Sequence, residues 1–363
     1  MKRITLSGYY GFGNAGDEAV LAGLVQGFRA ARPAGALELV ALSGNPAETR
    51  SAQGISARHR YRPGPLLAAI ARTDVFLSGG GSLLQDVTSA QSIFYYLGVV
   101  RMAQLLGKKT MFAAQGIGPL SRLRSRRLVA SVANRLDAIT VRDTESAQLL
   151  REIGVSRPSI EVAADPALLL EPAARGLPVA ASSGVSFGVA LRSWPGQETL
   201  AAQVADACWQ PLAEGRALLF PMQPQNDQAI AEQFAAKWHQ VNTAVVCSTQ
   251  TGLPGLLFNI NSCEMMVGMR LHALILAAAC GVPSVALSYD PKVAAFMASS
   301  GQADAVYDLS QPDPSVLSAL ISRVWAERSN RAAALRAALP TLRRRAARTV
   351  DIALSLLSLS APS

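Results

Sequence analysis

Three arginines stand just after predicted strands, and one of them lies close to one of the chain's three histidines. Arg142, Arg192 and Arg270 hold these positions, and His272 follows Arg270 at the start of an apolar helical segment. A guanidinium group binds two oxygens of a carboxylate or phosphate at once, and an imidazole exchanges protons near neutral pH. The pattern predicts a site for a compact, multiply anionic substrate that undergoes proton transfer. A histidine satisfied inside the core is the alternative for His272.

Glycine-rich loops occupy other strand ends. The first strand runs into GYYGFGNAGDE at residues 8–18, a later strand into SGGGSLLQD at 78–86, and the next into QGIGP at 115–119. Such loops let the backbone approach a ligand closely, and the helix after the first loop aims unpaired N–H groups at the same place. Turn formation alone is the alternative, and the glycine spacing does not match the dinucleotide-binding pattern. The residues expected to line an acceptor site or its loops are Asn14, Gly16, Gly80, Gly81, Asp86 and Gln115.

Strand-like and helical segments alternate along the chain, which predicts an α/β fold with parallel sheets and helices on both faces. Residues 171–184 lack periodicity and carry two prolines and two glycines, so they are expected to form a linker. The expected boundaries are 1–173 for a first Rossmann-like domain, 185–335 for a second, and 336–363 for a C-terminal helix that packs back on the first. Ligands of such sheets bind beyond the carboxyl ends of the strands, so the substrate is expected in a cleft between the domains.

The charge balance is basic, with a formal net charge of +9 carried mostly by 29 arginines. The basic residues are scattered and do not alternate with aromatic residues, so no nucleic-acid partner is expected. Solvated helix faces are the favoured interpretation of two local clusters, and peripheral attraction to an anionic membrane surface is the alternative. These clusters are Arg122, Arg124, Arg126 and Arg127, and Arg343, Arg344, Arg345 and Arg348.

The cysteines form neither a zinc pattern nor a disulfide framework, and they are expected to be reduced core residues. The apolar stretch at the start is too short for a signal peptide, and Gly281 and Pro283 interrupt the longest apolar run. We therefore expect a cytoplasmic protein that holds no metal and no organic cofactor.

Six motifs, taken together and in order, resemble those of the polysaccharide pyruvyl transferases of the CsaB type. They are the three glycine-rich loops, VRD at 141–143, ADP at 164–166 and MRLH at 269–272. The resemblance implies two Rossmann-like domains in a GT-B-like arrangement. It also implies that the enolpyruvyl part of phosphoenolpyruvate, a co-substrate, is transferred onto a sugar of a cell-surface polysaccharide precursor as a cyclic ketal. The acceptor is then expected on a lipid-linked glycan at the inner face of the membrane.

The same resemblance assigns roles to the motif residues. His272 becomes the general acid, while Arg270, the backbone of Leu271 and Arg142 hold phosphoenolpyruvate. Arg192 is added to this set from its position after a strand. Protonation of the methylene carbon of phosphoenolpyruvate creates an oxocarbenium-like centre. A sugar hydroxyl attacks that centre, phosphate leaves, and a second hydroxyl closes the ring.

Two points stay open at the level of sequence. Asp17 is the hypothesised general base, and Asp143 and Asp86 are its rivals. The same two-domain architecture also serves GT-B-type glycosyltransferases that use a nucleotide sugar, because a fold does not determine a function. A non-catalytic binding or regulatory protein is a third interpretation.

Overall fold

A computed structural model describes residues 1–33, 35–86, 90–172, 185–213, 215–239, 243–247 and 252–358. The chain divides into two compact units, the first made of Met1–Leu169 with Arg343–Ser363 and the second of Leu170–Leu342. Residues 173–184, which make up most of the predicted linker, lie outside the described part of the chain.

The first unit is built on a parallel sheet of seven strands. The strands are β1 (Lys2–Tyr10), β2 (Leu37–Ser43), β3 (Ser56–His59), β4 (Val75–Gly79), β5 (Lys109–Gln115), β6 (Ala138–Val141) and β7 (Ile160–Val162). Their order across the sheet is β3-β2-β1-β4-β5-β6-β7. The connecting helices are α1 (Ala15–Ala31), α2 (Pro46–Gln53), α3 (Pro63–Ala71), α4 (Ala90–Leu105), α5 (Leu123–Ala133) and α6 (Thr144–Glu152).

Apolar side chains cover both faces of this sheet. Phe76 and Phe112 belong to one buried cluster, while their chain neighbours Leu77 and Met111 belong to another. Successive side chains of a strand point to opposite faces, so near-continuous apolar strands require cover on both sides. The alternation of strand and helix in the sequence therefore reflects this layered core.

The second unit repeats the plan with six parallel strands. They are β8 (Ser186–Ala190), β9 (Arg216–Leu219), β10 (Ala244–Val246), β11 (Met266–Gly268), β12 (Ser284–Ser288) and β13 (Val306–Asp308), in the order β10-β9-β8-β11-β12-β13. Its helices are α7 (Leu200–Leu212), α8 (Pro224–Trp238), α9 (Gly252–Asn261), α10 (Leu271–Ala279), α11 (Pro291–Ser299) and α12 (Pro314–Ala326). A last helix, α13 (Arg328–Ser358), begins in this unit and ends in the first.

The sequence interpretation overlooked α2, β3, α9, α11 and β13. The segment PAETRSAQ of α2 is short and polar, and β3 and β13 have only four and three residues. Such short elements lack the run of periodic apolar residues on which a sequence prediction depends. All five lie between elements that were predicted, so their omission leaves the layered plan unchanged.

Three arginines of the C-terminal cluster bond to other groups of the first unit. Arg343 Nε donates to the carbonyl of Leu168, and Arg345 Nη2 donates to that of Ala163 at 3.1 Å. Arg348 pairs with the carboxylate of Glu161. These bonds fasten the end of α13 to the first unit, so the contacts of these three arginines differ from those of a free, solvated face.

Among the described residues, no helix combines the length and apolar character needed to cross a membrane.

Candidate functional site

Each sheet has a point where the strand order reverses direction. The loops that carry Asp17, Gly81, Arg192 and Arg270 follow the strands at these points, whereas Arg142 follows β6, farther along the first sheet. In the first unit, β1 lies between β2 and β4, and in the second unit β8 lies between β9 and β11. Loops beyond the carboxyl ends of such neighbouring strands diverge and leave room for a ligand.

The loop between β1 and α1 is held by side chains from the start of α1. Asn14 caps the helix by accepting a hydrogen bond from the N–H of Gly16 at 3.0 Å. The Glu18 carboxylate accepts a hydrogen bond from the N–H of Gly11 at 2.6 Å. These contacts fix the glycine-rich segment against the helix N-terminus, where backbone N–H groups and the helix dipole favour an anion.

Asp17 lies against the second glycine-rich loop, which follows β4. Its side chain is buried, and a Cβ atom built at Gly81 would stand 2.6 Å from Asp17 Oδ1. Gly81 also has a φ of +58°, a conformation that favours glycine. The hydroxyl of Tyr10 donates to the carbonyl of Gly79 at 2.9 Å, and a Cβ at Gly80 would lie 3.2 Å from that hydroxyl. The structure thus brings Asp17, Gly80 and Gly81 together.

Asp86 has a structural set of partners. Its carboxylate accepts hydrogen bonds from the Ser121 N–H and hydroxyl, both at 2.8 Å, and from the Arg122 N–H at 2.9 Å. Burial alone would raise the pKa of Asp86, but these bonds, with one from the hydroxyl of Ser125, lower it to about 2. A carboxylate that binds protons so weakly suits the anchoring of a loop better than the role of a general base.

Arg142 lies at the same edge, beyond β6, and is almost enclosed. Its guanidinium forms ion pairs with Asp165 at 3.3 Å and Asp143 at 3.5 Å, and Nη2 donates to the hydroxyl of Ser82 at 3.0 Å. A Cβ at Gly116 would lie 2.9 Å from both Nε and Nη2. Two carboxylates therefore balance the charge of Arg142, and with the hydroxyl of Ser82 its contacts link the ends of β4, β6 and β7.

Gln115 is fully buried at the end of β5, and neither atom of its amide has a hydrogen-bond partner within the described residues. The next residue, Gly116, donates its N–H to the carbonyl of Gly81, so the loops after β4 and β5 meet here.

Asp143 caps α6 by accepting from the N–H of Ser146 at 2.7 Å. The cap and the Arg142 ion pair leave Asp143 a structural role.

In the second unit, Arg270 forms a two-pronged ion pair with Asp227. Arg270 Nε donates to Asp227 Oδ2 at 2.9 Å, and Nη2 donates to Oδ1. Asp227 is fully buried in the first turn of α8 and also accepts from the N–H of Gln223 at 2.8 Å. Arg270 is the residue that precedes α10, so the ion pair holds the start of that helix. Leu271 and the half-buried His272 are the first two residues of α10.

Arg192 follows β8, the strand next to β11, and differs from the other two arginines. No carboxylate pairs with it in the described part of the chain, and its buried Nε has no hydrogen-bond partner there. Nη1 donates to the hydroxyl of Tyr289 at 3.2 Å, and the guanidinium lies over the rings of Trp194 and Tyr289 at 5.3 and 5.5 Å. The N–H of Arg270 lies 3.4 Å from the carbonyl of Ala190, so Arg192, Arg270 and His272 share one edge.

A buried arginine with an aromatic surround was missed by the sequence analysis. Arg60 is 2% exposed, donates from Nη1 to the carbonyl of Gly8 at 2.6 Å, and has four aromatic rings within 5.3 Å of its guanidinium carbon. Cation–π attraction stabilises such an arrangement. Tyr61 is 57% exposed, and Phe12 stacks on Tyr9 with ring centroids 4.4 Å apart. This aromatic cluster, consisting of Tyr9, Phe12, Tyr61, Tyr95 and Tyr96 around Arg60, adjoins the β1–α1 loop.

The sequence held partial signals for these missed residues. Asp227 follows a strand and stands just inside a helix that begins with Pro224, which is the kind of position that drew attention to Arg270. The aromatic residues come from three separate segments, and only the fold brings them together. Glu18 was noticed only as part of a motif.

Comparison with known proteins finds one family for this chain. A model of the family "Polysaccharide pyruvyl transferase" matches residues 14–291. No curated protein sequence matches the chain.

Solved structures share the fold at low sequence identity. Anabaena HepE in complex with UDP and glucose is 12% identical, with a TM-score of 0.59 and 99% of each chain covered. A UDP-N-acetylglucosamine 2-epimerase from Listeria monocytogenes is 11% identical, with a TM-score of 0.66, 100% of this chain and 98% of that chain covered. A glycosyltransferase from Rickettsia africae is 10% identical, with a TM-score of 0.63 and 99% of each chain covered. The predicted class of two parallel-sheet α/β domains with a GT-B-like fold is confirmed.

The Asp227–Arg270 pair is expected to be strongly coupled. Replacing Asp227→Asn leaves a buried guanidinium without its counter-charge, so we expect the free energy of unfolding to fall by about 3 kcal/mol. Combining it with Arg270→Gln should restore part of that loss in a double-mutant cycle measured by urea denaturation. The control cycle uses the exposed pair of Asp206 and Lys237, whose coupling should stay below about 1 kcal/mol. Equal coupling energies in the two cycles would contradict the structural role.

Glu18 is expected to make stability depend on pH. Burial raises its pKa from 4.5 to about 7, the bond from Gly11 opposes this, and Asp17 and Glu48 add to it. The fold therefore favours the protonated acid, and stability is lost as pH rises from about 4.5 to about 7.

Glu18→Gln keeps an oxygen acceptor for Gly11 and removes the charge. It should stabilise the protein by on the order of 1–3 kcal/mol at about pH 8, with little change at about pH 4, in denaturant titrations. Glu145→Gln, at an exposed position in the first turn of α6, is the matched control. The same gain at both pH values would disprove the assignment.

Proposed function

Because the chain belongs to the polysaccharide pyruvyl transferase family, we propose that it moves the enolpyruvyl group of phosphoenolpyruvate onto a sugar of a cell-surface polysaccharide precursor. The product is a pyruvate ketal and the leaving group is phosphate. The observation that best supports this proposal is the edge formed by β8 and β11, where Arg192 keeps a guanidinium without a carboxylate partner among the described residues. The CsaB subtype and a lipid-linked acceptor in the cytoplasm are parts of the same proposal.

Phosphoenolpyruvate carries its carboxylate and its phosphate ester on the same carbon, so its site needs several donors in a small volume. Arg192 supplies a positive charge that no carboxylate balances among the described residues, and the N–H of Leu271, at the start of α10, supplies a further donor. Arg270 orients this helix start through its ion pair with Asp227. The two carboxylates that pair with Arg142 favour a positioning role for that arginine in the first unit.

The reaction requires one proton donor and one acceptor. His272 donates a proton to the methylene carbon of phosphoenolpyruvate, which becomes a methyl group, and positive charge develops at the neighbouring carbon. A sugar hydroxyl adds to that carbon and loses its proton to a base. The carbon–oxygen bond to phosphate then breaks, and a second hydroxyl closes the ketal, its proton leaving with the phosphate.

Asp17 is the preferred base among the three candidate aspartates. Asp86 is held by four donors from the segment that opens α5, and Asp143 caps α6. The carboxylate of Asp17 lies against Gly81, where a Cβ would stand 2.6 Å from Oδ1, at the junction of the two loops where an acceptor would meet the first unit. Its carboxylate can accept the proton of the attacking hydroxyl from that position.

The acceptor sugar is assigned to the aromatic cluster. Carbohydrate rings present apolar C–H faces bordered by hydroxyls, and a binding site of aromatic surfaces with a few polar groups matches that chemistry. Tyr61 is more than half exposed, and the guanidinium of Arg60 packs against its ring. The cluster adjoins the loop that leads to Asp17, so the sugar and the base would share one edge.

A nucleotide-sugar glycosyltransferase is the second candidate, and the pair of aromatic rings beside Arg192 is the feature that favours it. Trp194 contacts Tyr289 on one side and is 37% exposed, so it offers a surface on which a nucleobase can stack. Titration calorimetry with phosphoenolpyruvate and with UDP-glucose separates the candidates. Binding of phosphoenolpyruvate alone supports the transferase proposed here, and binding of UDP-glucose alone replaces it.

His272 and Arg192 should fail in different ways. His272→Gln removes the proton donor, so turnover should drop by roughly 10²–10⁴-fold while the Kd for phosphoenolpyruvate changes little. Arg192→Gln removes an anion contact and should weaken phosphoenolpyruvate binding by about 10-fold or more. Calorimetry gives the Kd, and phosphate release with mass spectrometry gives turnover on a panel of p-nitrophenyl hexosides. His239→Gln, at the residue that follows α8, is the control. Unchanged turnover in the His272 variant would disprove its role.

The aromatic cluster should affect only the acceptor. Tyr61→Ala removes an exposed ring, so we expect the KM for the sugar acceptor to rise by roughly 10-fold and the Kd for phosphoenolpyruvate to stay constant. Trp209→Ala removes a comparably exposed ring from the second unit and should change neither value. A rise in the Kd for phosphoenolpyruvate with an unchanged acceptor KM would place the cluster outside the acceptor site.

A further inference from the structure

The first unit carries a basic surface at the start of α5, formed by Arg122, Leu123, Arg124, Arg126 and Arg127. The side chains of these residues are exposed, and Leu123 in particular is 60% accessible. This cluster looked equivalent to the C-terminal arginine cluster in the sequence. The contacts separate the two, because the C-terminal arginines bond to carbonyls and a carboxylate of their own unit.

The charges of the basic surface lack compensation. None of its four arginines forms an ion pair within the described residues, and the first turn of α5 contains no acidic side chain. Arg126 alone uses its Nε, which donates to the carbonyl of Leu120. The positive end of the helix dipole lies in the same turn, so like charges are concentrated there. An external anionic partner would relieve this repulsion.

Apolar side chains accompany the charges. Leu123 stands among the arginines, and Phe94, in the first part of the neighbouring α4, is 61% exposed. Helices α4 and α5 contact each other, and both follow strand ends, so their N-termini lie at the carboxyl edge of the sheet. Exposed leucine and phenylalanine side chains beside arginines are typical of proteins that bind at a lipid–water interface.

Hydrogen bonds link the basic surface to the loop after β4, which is part of the candidate site. Asp86, at the end of the glycine-rich loop after β4, bonds to the backbone of Ser121 and Arg122. The same carboxylate thus ends the loop that contacts Asp17 and positions the first residues of α5. A molecule that binds the basic surface would lie next to the edge to which the sugar acceptor is assigned.

We propose that the basic surface docks on the anionic face of a lipid bilayer. Arginines would contact lipid phosphates, and Leu123 and Phe94 would enter the interfacial layer. Anionic lipids attract basic residues near a membrane surface with a strength that corresponds to about 5-fold in partitioning for each residue. Nucleic acid is disfavoured because the exposed apolar side chains would face its phosphates without a base to stack on.

The test compares two triple variants of equal charge in vesicle co-sedimentation. One combines Arg122→Ala, Arg124→Ala and Arg127→Ala, and it retains Arg126, whose side chain bonds within the protein. The control combines Arg32→Ala, Arg151→Ala and Arg157→Ala, three exposed arginines at the opposite, amino edge of the same sheet. Vesicles consist of phosphatidylcholine with or without phosphatidylglycerol. Circular dichroism melting verifies that all variants fold.

We expect the wild-type chain and the control variant to bind only the vesicles that contain phosphatidylglycerol. The basic-surface variant should lose about 100-fold in partitioning, and Leu123→Ser should lower binding that persists at high salt. Equal losses in both triple variants, equal binding to neutral vesicles, or stronger binding to a DNA oligonucleotide would each overturn the proposal. The assay contains neither phosphoenolpyruvate nor a sugar, so its outcome is independent of the proposed transferase activity.

Discussion

The ion pair between Arg270 and Asp227 is the interaction on which the second unit's candidate site depends. A carboxylate with no exposed surface holds a guanidinium at the start of α10 and simultaneously caps the start of α8. Charges removed from water are costly unless they are paired with good geometry, so neither residue can be changed alone without a large penalty. The pair therefore determines the direction in which α10 begins, and with it the positions of Leu271 and His272.

In the first unit, carboxylates on loops pair with the charged and polar groups at the strand ends. Asp165 and Asp143 balance Arg142, and Asp86 gathers the N–H groups of the segment that opens α5. Asp165 and Asp86 each join segments that follow different strands, and Asp143 holds the start of α6. Against this background of paired charges, Arg192 is the exception among the strand-end arginines, because its partners in the described chain are a hydroxyl and two aromatic rings. An anion-binding site requires such a charge to stay available.

The layered fold and the strand ends could be predicted from sequence because their signals are local. Apolar runs, glycines and helix starts lie within a few residues of one another, and they located the loops that hold Asp17, Gly81 and Arg270. Partners from distant segments left no such signal. Asp227 lies 43 residues before Arg270, and the rings around Arg60 come from three strand ends or helices. The two arginine clusters likewise look equivalent in the sequence, and only tertiary contacts show that the C-terminal cluster bonds to groups of its own unit.

The fold and the chemistry are determined by different parts of the chain. Two Rossmann-like sheets create a carboxyl edge in each unit, but any ligand that suits a diverging pair of loops could bind there. The balance of charge at those edges narrows the range of ligands that fit. A nucleotide sugar spreads its contacts over a base, a diphosphate and a sugar, whereas phosphoenolpyruvate concentrates its negative charge on a few atoms. A guanidinium without a carboxylate partner among the described residues, a helix N-terminus and an imidazole along one short edge favour the compact anion of the proposed function. Under that proposal the aromatic cluster of the first unit would bind a sugar rather than a nucleobase.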